Sequence, residues 1–345
     1  MILATAPGRV NLMGEHTDYN RGLVLPTVTP QRTAIELEPR SDSMARIRSD
    51  AFGQAEYRVG HERPGSGWLD YVQGCTAVLR ARGHEVRGFE ARISSNVPIG
   101  AGVSSSAALE VALLRALREA FALGLDDAAL ALLGRDVEND FVGARVGVMD
   151  QFAASLGRPG AALFLDTADL SHELVVIPRQ VDIVVVDSGV AHAHASGGYN
   201  LRRAECEEAC RLLGVGSLRE VSDVSGADPL PDRLRRRVRH VVSENARVRD
   251  TVAALRRGDV ELLGRLFNES HASQRQDYEV SAPEVDLLAD LLRRDGSVAG
   301  ARLTGGGFGG AVVALVPSGE GKKVASRVLR AYERAGWHGR AIVPT

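Results

Sequence analysis

Lysine is almost missing from this chain: of 42 basic residues, only Lys322 and Lys323 are lysine. No lysine among the first 321 residues can grip a phosphate. No glycine-rich loop is followed by Gly-Lys-Ser/Thr either, so a Walker A loop is excluded. Cysteine is nearly as scarce. Cys75, Cys206 and Cys210 are the full set, and two of them four residues apart on a helical stretch make neither a disulfide framework nor a zinc motif. A basic excess is also lacking: the formal net charge is −2, which argues against a nucleic-acid or anionic-membrane partner. No run approaches the ~18 apolar residues needed to span a bilayer. The opening MILATAPGRV has neither the charged start nor the long apolar run of a signal peptide. These absences lead to the expectation of a cytoplasmic protein acting on small molecules, with no nucleic acid and no membrane.

What is present fits two mixed α+β halves. A length of 345 residues exceeds what one core usually fills, since cores stop growing near ~250–300 residues. Short apolar runs and turn residues open the chain, as in LVLPTVTP and TAIELEP, and read as strands. WLDYVQGCTAVLRAR, from Trp68, has helical spacing. FEARISS, ALFLD and VDIVVVDSG (181–189) read as strands. Long helices are expected at 199–213, 230–256, 259–274, 283–293 and 321–335. The expected domains are 1–180 and 181–345.

Three motifs carry chemistry. In VPIGAGVSSSAA (97–108) a glycine loop enters a helix, so unpaired N–H groups and the positive end of the dipole can cradle phosphate. Its serines could equally cap the helix. GGGFGG (305–310) lies between apolar strands, either as a tight hairpin or as backbone pressed against a ligand. GRVNLMGEHTDYNRG (8–22) crowds Arg9, Glu15, His16 and Asp18 together, an inventory suited to gripping adjacent hydroxyls. Without a second His or a Cys at useful spacing, zinc is the weaker reading. Asp150, in VGVMDQF, is either a helix N-cap or a general base that needs a cationic partner, for which Arg9 is a candidate. His192 and His194 read as solvated loop histidines rather than metal ligands.

Together these stretches resemble one family. GRVNLMGEHTDYNRGLVLP resembles the galactokinase signature. VPIGAGVSSSAA and ARLTGGGFGGAVVAL resemble the ATP motif and third motif of the GHMP kinases, the wider group that includes homoserine, mevalonate and phosphomevalonate kinases. WLDYVQG, VGVMDQF, YNLRRAECEEA, SENARV and SHASQRQDYEVSAPEVD are lesser matches, so the similarity spans nearly the whole chain. The resemblance implies an α+β two-domain GHMP kinase fold: a ribosomal-protein-S5-domain-2-like N-terminal domain, a ferredoxin-like C-terminal domain, and an active site in the cleft between them. It implies ATP-dependent phosphorylation of the anomeric hydroxyl of galactose, with Mg²⁺, in a monomer or weak homodimer. Arg9 and Asp150 match the catalytic pair. Glu15, His16, Asp18, Gly147 and Tyr199 match sugar contacts; Gly100, Gly102, Ser104, Ser105, Ser106 and Ala107 match the ATP loop; Ser106 and Glu138 match the magnesium-binding positions.

One position departs from the family. Gly198 stands before Tyr199 where galactokinases commonly carry Glu, and the opened loop is expected to leave room for a larger or substituted sugar. N-acetylgalactosamine, galacturonate and arabinose are therefore alternative substrates. An inactive galactose/ATP sensor is the reading of another class, disfavoured by the whole SSSAA loop and the presence of Asp150.

Overall fold

The structure, a computed structural model, describes residues 1–191 and 195–343; His192 and His194 lie outside the described residues. Contacts group the chain into two compact units. The first comprises Met1–Arg9, Val28–Ile99 and Ser104–Gly157; the second comprises Val10–Thr27, Gly100–Val103 and everything from Arg158 onward.

The elements in chain order begin with β1 (Ile2–Asn11), β2 (Leu23–Val24), β3 (Pro26–Pro39), β4 (Met44–Ser49) and β5 (Gly53–Arg58). Helix α1 (Leu69–Ala81), β6 (Phe89–Ser95), α2 (Ser105–Ala120), α3 (Asp127–Asp136) and α4 (Met149–Leu156) follow. In the first unit β3 runs antiparallel to β6, β6 parallel to β4, and β4 forms a hairpin with β5, while β1 pairs with β3. Burial alternates with period two along β4 and β6, as a sheet with one solvated face requires. The buried residues Ile35, Ile47, Phe89 and Ile93 pack with Leu79, Val111 and Leu114 of the helices in one core. Asp126 caps α3, accepting from the Ala129 N–H at 2.7 Å. The helix then widens into a single π-turn, Val137–Val142, a feature often found at functional sites. Gly74 of α1 lies so close to this turn that a Cβ there would sit 2.6 Å from Val137.

The second unit begins with the signature segment and adds β7 (Ala161–Asp166), β8 (His172–Val176) and β9 (Val181–Ala191). Beyond these lie α5 (Ala195–Leu213), α6 (Asp232–Arg257), α7 (Val260–Gln276), α8 (Pro283–Arg294), β10 (Gly300–Thr304), β11 (Gly309–Pro317), α9 (Gly321–Arg334) and β12 (Arg340–Val343). An antiparallel four-stranded sheet of order β10-β11-β9-β12 packs against α7, α8 and α9. β11 carries a continuous run of Ala, Val and Leu (311–316) that is buried throughout, and Val184–Val186 of β9 are buried beside it. Gly305 to Phe308 of GGGFGG form the hairpin loop between β10 and β11, and Gly309 and Gly310 open β11.

Candidate active site

In the first unit, Arg9 from β1 and Asp150 from the first turn of α4 form a two-pronged pair. Nε donates to Oδ1 at 2.7 Å and Nη2 to Oδ2 at 2.8 Å. The Ser104 hydroxyl also donates to Asp150 Oδ2. Asp150 is therefore not an N-cap: that position is Val148, and the carboxylate is committed to Arg9 and Ser104. Arg9 is 5 % exposed, so its charge acts in a poorly screened setting.

The serines of the glycine loop do not cap α2 either. Ser104, at the N-cap, is left-handed (φ 59°) and no side chain caps the helix. Ser106 donates instead to Glu138 Oε1 at 2.8 Å. With no acidic residue in its first turn, α2 keeps the positive end of its dipole for an external anion. Glu138 stands on the π-turn. Burial, and secondarily the nearby Asp150 charge, raise its pKa to about 7, against the Ser106 hydrogen bond, so a cation beside it would be favourable. Gln151 donates to Glu138 at 3.4 Å and to Glu110 Oε2 at 3.2 Å. The Glu110 carboxyl is fully buried and pushed well up by that burial. Gly147 lies three residues before Asp150 in the same unit, just after Val146, whose N–H donates to Asn139 at 2.8 Å. Among the described residues no group of three or more His, Cys, Asp or Glu could hold a metal ion alone.

A cavity of about 210 Å³ in the first unit is lined by Phe52, Trp68, Tyr71, Ile99, Ser105 and Ser106, among others. Phe52 and Trp68 stack at 5.5 Å with 13° between planes. Phe52 and Ile99 are 49 % and 61 % exposed, unusual for such side chains. Beyond Ser105 and Ser106 of the glycine-loop motif the sequence offered no motif for this pocket, because Phe52, Trp68, Tyr71 and Ile99 come from a β4–β5 turn, the start of α1 and the loop after β6. Trp68 and Tyr71 within WLDYVQG were the only further signal.

The second unit assembles the signature. Its Gly14 must be glycine: φ is +99°, and a Cβ would meet the Leu23 carbonyl at 2.4 Å. Glu15 is buried, and its carboxylate accepts from Asn11 Nδ2 at 2.8 Å, the Gly305 N–H at 2.9 Å and the fully buried Arg302. The Thr304 hydroxyl lies 3.1 Å away. Arg302 also donates to the carbonyls of Asn11 and Leu12. From α6, Glu244 accepts the Gly14 N–H at 3.1 Å, Asn245 accepts the Leu23 N–H at 2.7 Å, and His240 meets the Glu15 carbonyl at 3.1 Å. SENARV thus clamps the signature, a task that its residue types do not announce.

His16 sits among the rings of Tyr19, Tyr199 and Tyr278, at centroid distances of 5.8, 5.4 and 4.8 Å. Its Nδ1 meets the Tyr19 hydroxyl at 2.9 Å, and that hydroxyl meets Tyr278 at 2.8 Å. Burial lowers the His16 pKa to about 3, so the ring is neutral at pH 7 and can present a donor or an acceptor without charge. Asp18 opens a 3₁₀ turn, and one of its carboxylate oxygens accepts the Tyr19 N–H at 2.9 Å. Gly100 and Gly102 (φ +76° and +72°) belong by contact to this unit, whereas Ser104, Ser105, Ser106 and Ala107 belong to the first.

Comparison with known proteins agrees with this chemistry. The model of the galactokinase galactose-binding signature matches residues 2–39, that of the GHMP kinase N-terminal domain residues 70–158, and that of the GHMP kinase C-terminal domain residues 251–334. A galactokinase of Roseiflexus sp. (strain RS-1) is 42% identical over 97% of this chain and 88% of its own length. A galactokinase of Streptomyces coelicolor is 44% identical over 96% of this chain and 88% of its own. The chain belongs to the galactokinase family. A solved galactokinase, that of Lactococcus lactis complexed with galactose, superposes with a TM-score of 0.92 at 34% identity, covering 98% of this chain and 92% of that one. The expected GHMP kinase fold is thus borne out, and galactokinase membership accounts for the order of the three motifs.

Proposed function

We propose that this protein transfers the γ-phosphoryl group of ATP to the anomeric hydroxyl of D-galactose, giving galactose 1-phosphate and ADP. The observation that carries the reading is the Arg9–Asp150–Ser104 constellation beside the uncapped start of α2. Asp150 accepts the proton of the sugar hydroxyl as its oxygen bonds to the γ-phosphorus and the bond to the ADP oxygen breaks. Arg9 holds Asp150 in place and neutralises charge on the transferring group, as a planar fork that cannot deprotonate. The α2 N–H groups and the glycines of the preceding loop receive the phosphates, and the Phe52/Trp68 cavity beside Ser105 and Ser106 receives the flat adenine base. Ser106 and Glu138 offer hard oxygen donors of the kind Mg²⁺ takes together with phosphate oxygens. The ion supplies charge neutralisation on the phosphates when bound. His16, Asp18, Glu15, Gly147 and Tyr199 are assigned to the sugar. A cytoplasmic monomer or weak homodimer, with domains at 1–180 and 181–345, completes the proposal.

ADP release from Mg-ATP, measured across galactose, N-acetylgalactosamine, galacturonate, arabinose and glucose, tests it. Turnover on galactose above the other four is expected. Turnover confined to another sugar would reassign the substrate, and silence on all five would point to a sensor.

A further inference from the structure

Gly198 does not open the second unit at Tyr199, because the space is filled. A Cβ at Gly198 would meet Cζ, Cε2 and Cε1 of Phe308 at 2.5, 2.7 and 2.8 Å. The expectation of room for a larger sugar fails for that physical reason: the glycine makes way for a ring of the same unit.

The residue that carries the ring is held at its backbone. Phe308 has a left-handed backbone (φ 57°) and follows Gly307, where a Cβ would strike the Val280 carbonyl at 2.4 Å. Its N–H donates to that same carbonyl at 2.7 Å. The Arg202 guanidinium lies 5.9 Å from the ring centroid. Arg202 is itself fixed, donating to the carbonyls of Tyr278 at 2.6 Å and Glu279 at 3.0 Å and to Glu205 at 3.2 Å. Two residues earlier in the loop, Gly306 faces the Tyr199 ring, with 3.5 Å from its would-be Cβ to Cδ2. The glycine loop therefore touches α5 at two successive residues, Gly198 through Phe308 and Tyr199 through Gly306.

We propose that the Gly198–Phe308 contact is a lock that seats the glycine loop against the start of α5, making Phe308 a positioning residue for Tyr199 and hence for sugar binding. Its sugar readout rests on the galactose reading above. A methyl at 198 pushes the ring out, and because Val280 holds the Phe308 backbone and Arg202 lies over the ring, the push passes into the loop and Tyr199. A shorter side chain at 308 makes room for that methyl.

The test compares wild type, Gly198→Ala, Phe308→Leu and the double variant. Gly198→Ala is expected to raise the galactose KM about tenfold, equal to about 1.4 kcal/mol, with kcat within about twofold. In the double variant, Phe308→Leu is expected to recover most of that loss. A purely structural role would lower Tm and the active fraction while leaving KM unchanged, and no rescue would follow. Hydrogen exchange without any sugar separates the lock from the choice of substrate: faster exchange across 305–310 in Gly198→Ala, restored in the double variant, is expected. Unchanged exchange in Gly198→Ala would overturn the lock whatever sugar the enzyme uses, whereas altered exchange with no galactose turnover in wild type would fault only the substrate.

Discussion

Arg9 and Asp150, 141 residues apart in sequence, meet through two parallel hydrogen bonds of 2.7 and 2.8 Å. The pair fixes the carboxylate plane as well as its charge. Asp150→Asn keeps one acceptor for Arg9 but cannot take a proton. Turnover should fall by about 10²- to 10⁴-fold, with galactose affinity by calorimetry near that of wild type. A variant that keeps its turnover per folded molecule while losing stability would show that the carboxylate serves only the fold.

Arg9→Lys separates charge from shape. An ammonium retains the positive charge but cannot make both hydrogen bonds at once, and it is more strongly hydrated. At 5 % exposure there is little water to compensate. A loss of kcat of more than about tenfold is expected, read by steady-state kinetics. Wild-type kcat in Arg9→Lys would mean that the fork geometry is irrelevant.

Ser104 should show stability and activity moving apart. Its left-handed backbone costs an L-residue roughly 1–2 kcal/mol, a strain that glycine lacks. Set against that relief are the freer unfolded chain of glycine and a lost hydrogen bond to a charged group, about 1.5–3 kcal/mol, so Ser104→Gly should unfold in urea within about 2 kcal/mol of wild type. It also removes the hydroxyl that donates to Asp150. That hydroxyl orients the carboxylate that Arg9 also holds, so kcat should drop at least about tenfold, equal to about 1.4 kcal/mol on the barrier. A variant that loses well over about 2 kcal/mol of stability while staying fully active would contradict both expectations.

Legibility in the sequence followed locality. FEARISS and the period-three spacing after Trp68 depend on neighbours in the chain, and they became β6 and α1 at nearly the expected limits. Arg9, Asp150, Ser106 and Glu138 were found by motif, and the structure brings them into two contacts within one unit. The π-turn under Glu138 leaves no trace in the sequence, since widening by one residue keeps the apolar pattern almost intact. Partners such as Arg302 and Glu244 were invisible because a buried charge looks like a surface one until its neighbours are known. The Phe308 ring at Gly198 was missed for the same reason: a contact 110 residues away in sequence has no local trace.

Glu138→Gln tests the cation position. The raised pKa of Glu138, near 7 and caused first by burial, marks a carboxylate that a dication would stabilise in its charged form. The amide keeps the shape and can still accept from Ser106, but it carries no charge. The Mg²⁺ concentration for half-maximal rate should rise about 10- to 100-fold, with the galactose KM little changed. Magnesium binding to the ATP-loaded protein, followed by calorimetry, should weaken in parallel. An unchanged Mg²⁺ requirement would place the ion elsewhere.

The buried histidines of the second unit predict how stability depends on acid. Burial holds His16 at about 3 and His240 at about 4, both below the ordinary 6.5. An unfolded chain thus binds more protons than the folded one between those values and 6.5, so this stabilisation is present above 6.5 and is lost as the pH falls. Glu244, facing His240 on α6, is depressed by Arg247 and Arg302, and its own loss begins only below 4.5. Glu15, raised by burial, acts in the opposite direction. Glu138, near 7, and Glu110, pushed well up by burial, act in that opposite direction too, so the histidine share is read from the difference between wild type and His240→Gln: the variant's stability relative to wild type should be greater at about pH 5.5 than at about pH 7.5 by about 1 kcal/mol. The His240 ring lies between the Ser273 hydroxyl, at 2.9 Å, and the Glu15 carbonyl. His240→Gln can bond both without titrating, so it isolates this ring's share. A difference between His240→Gln and wild type that is equal at both pH values would mean that the His240 ring does not stay neutral in the folded protein.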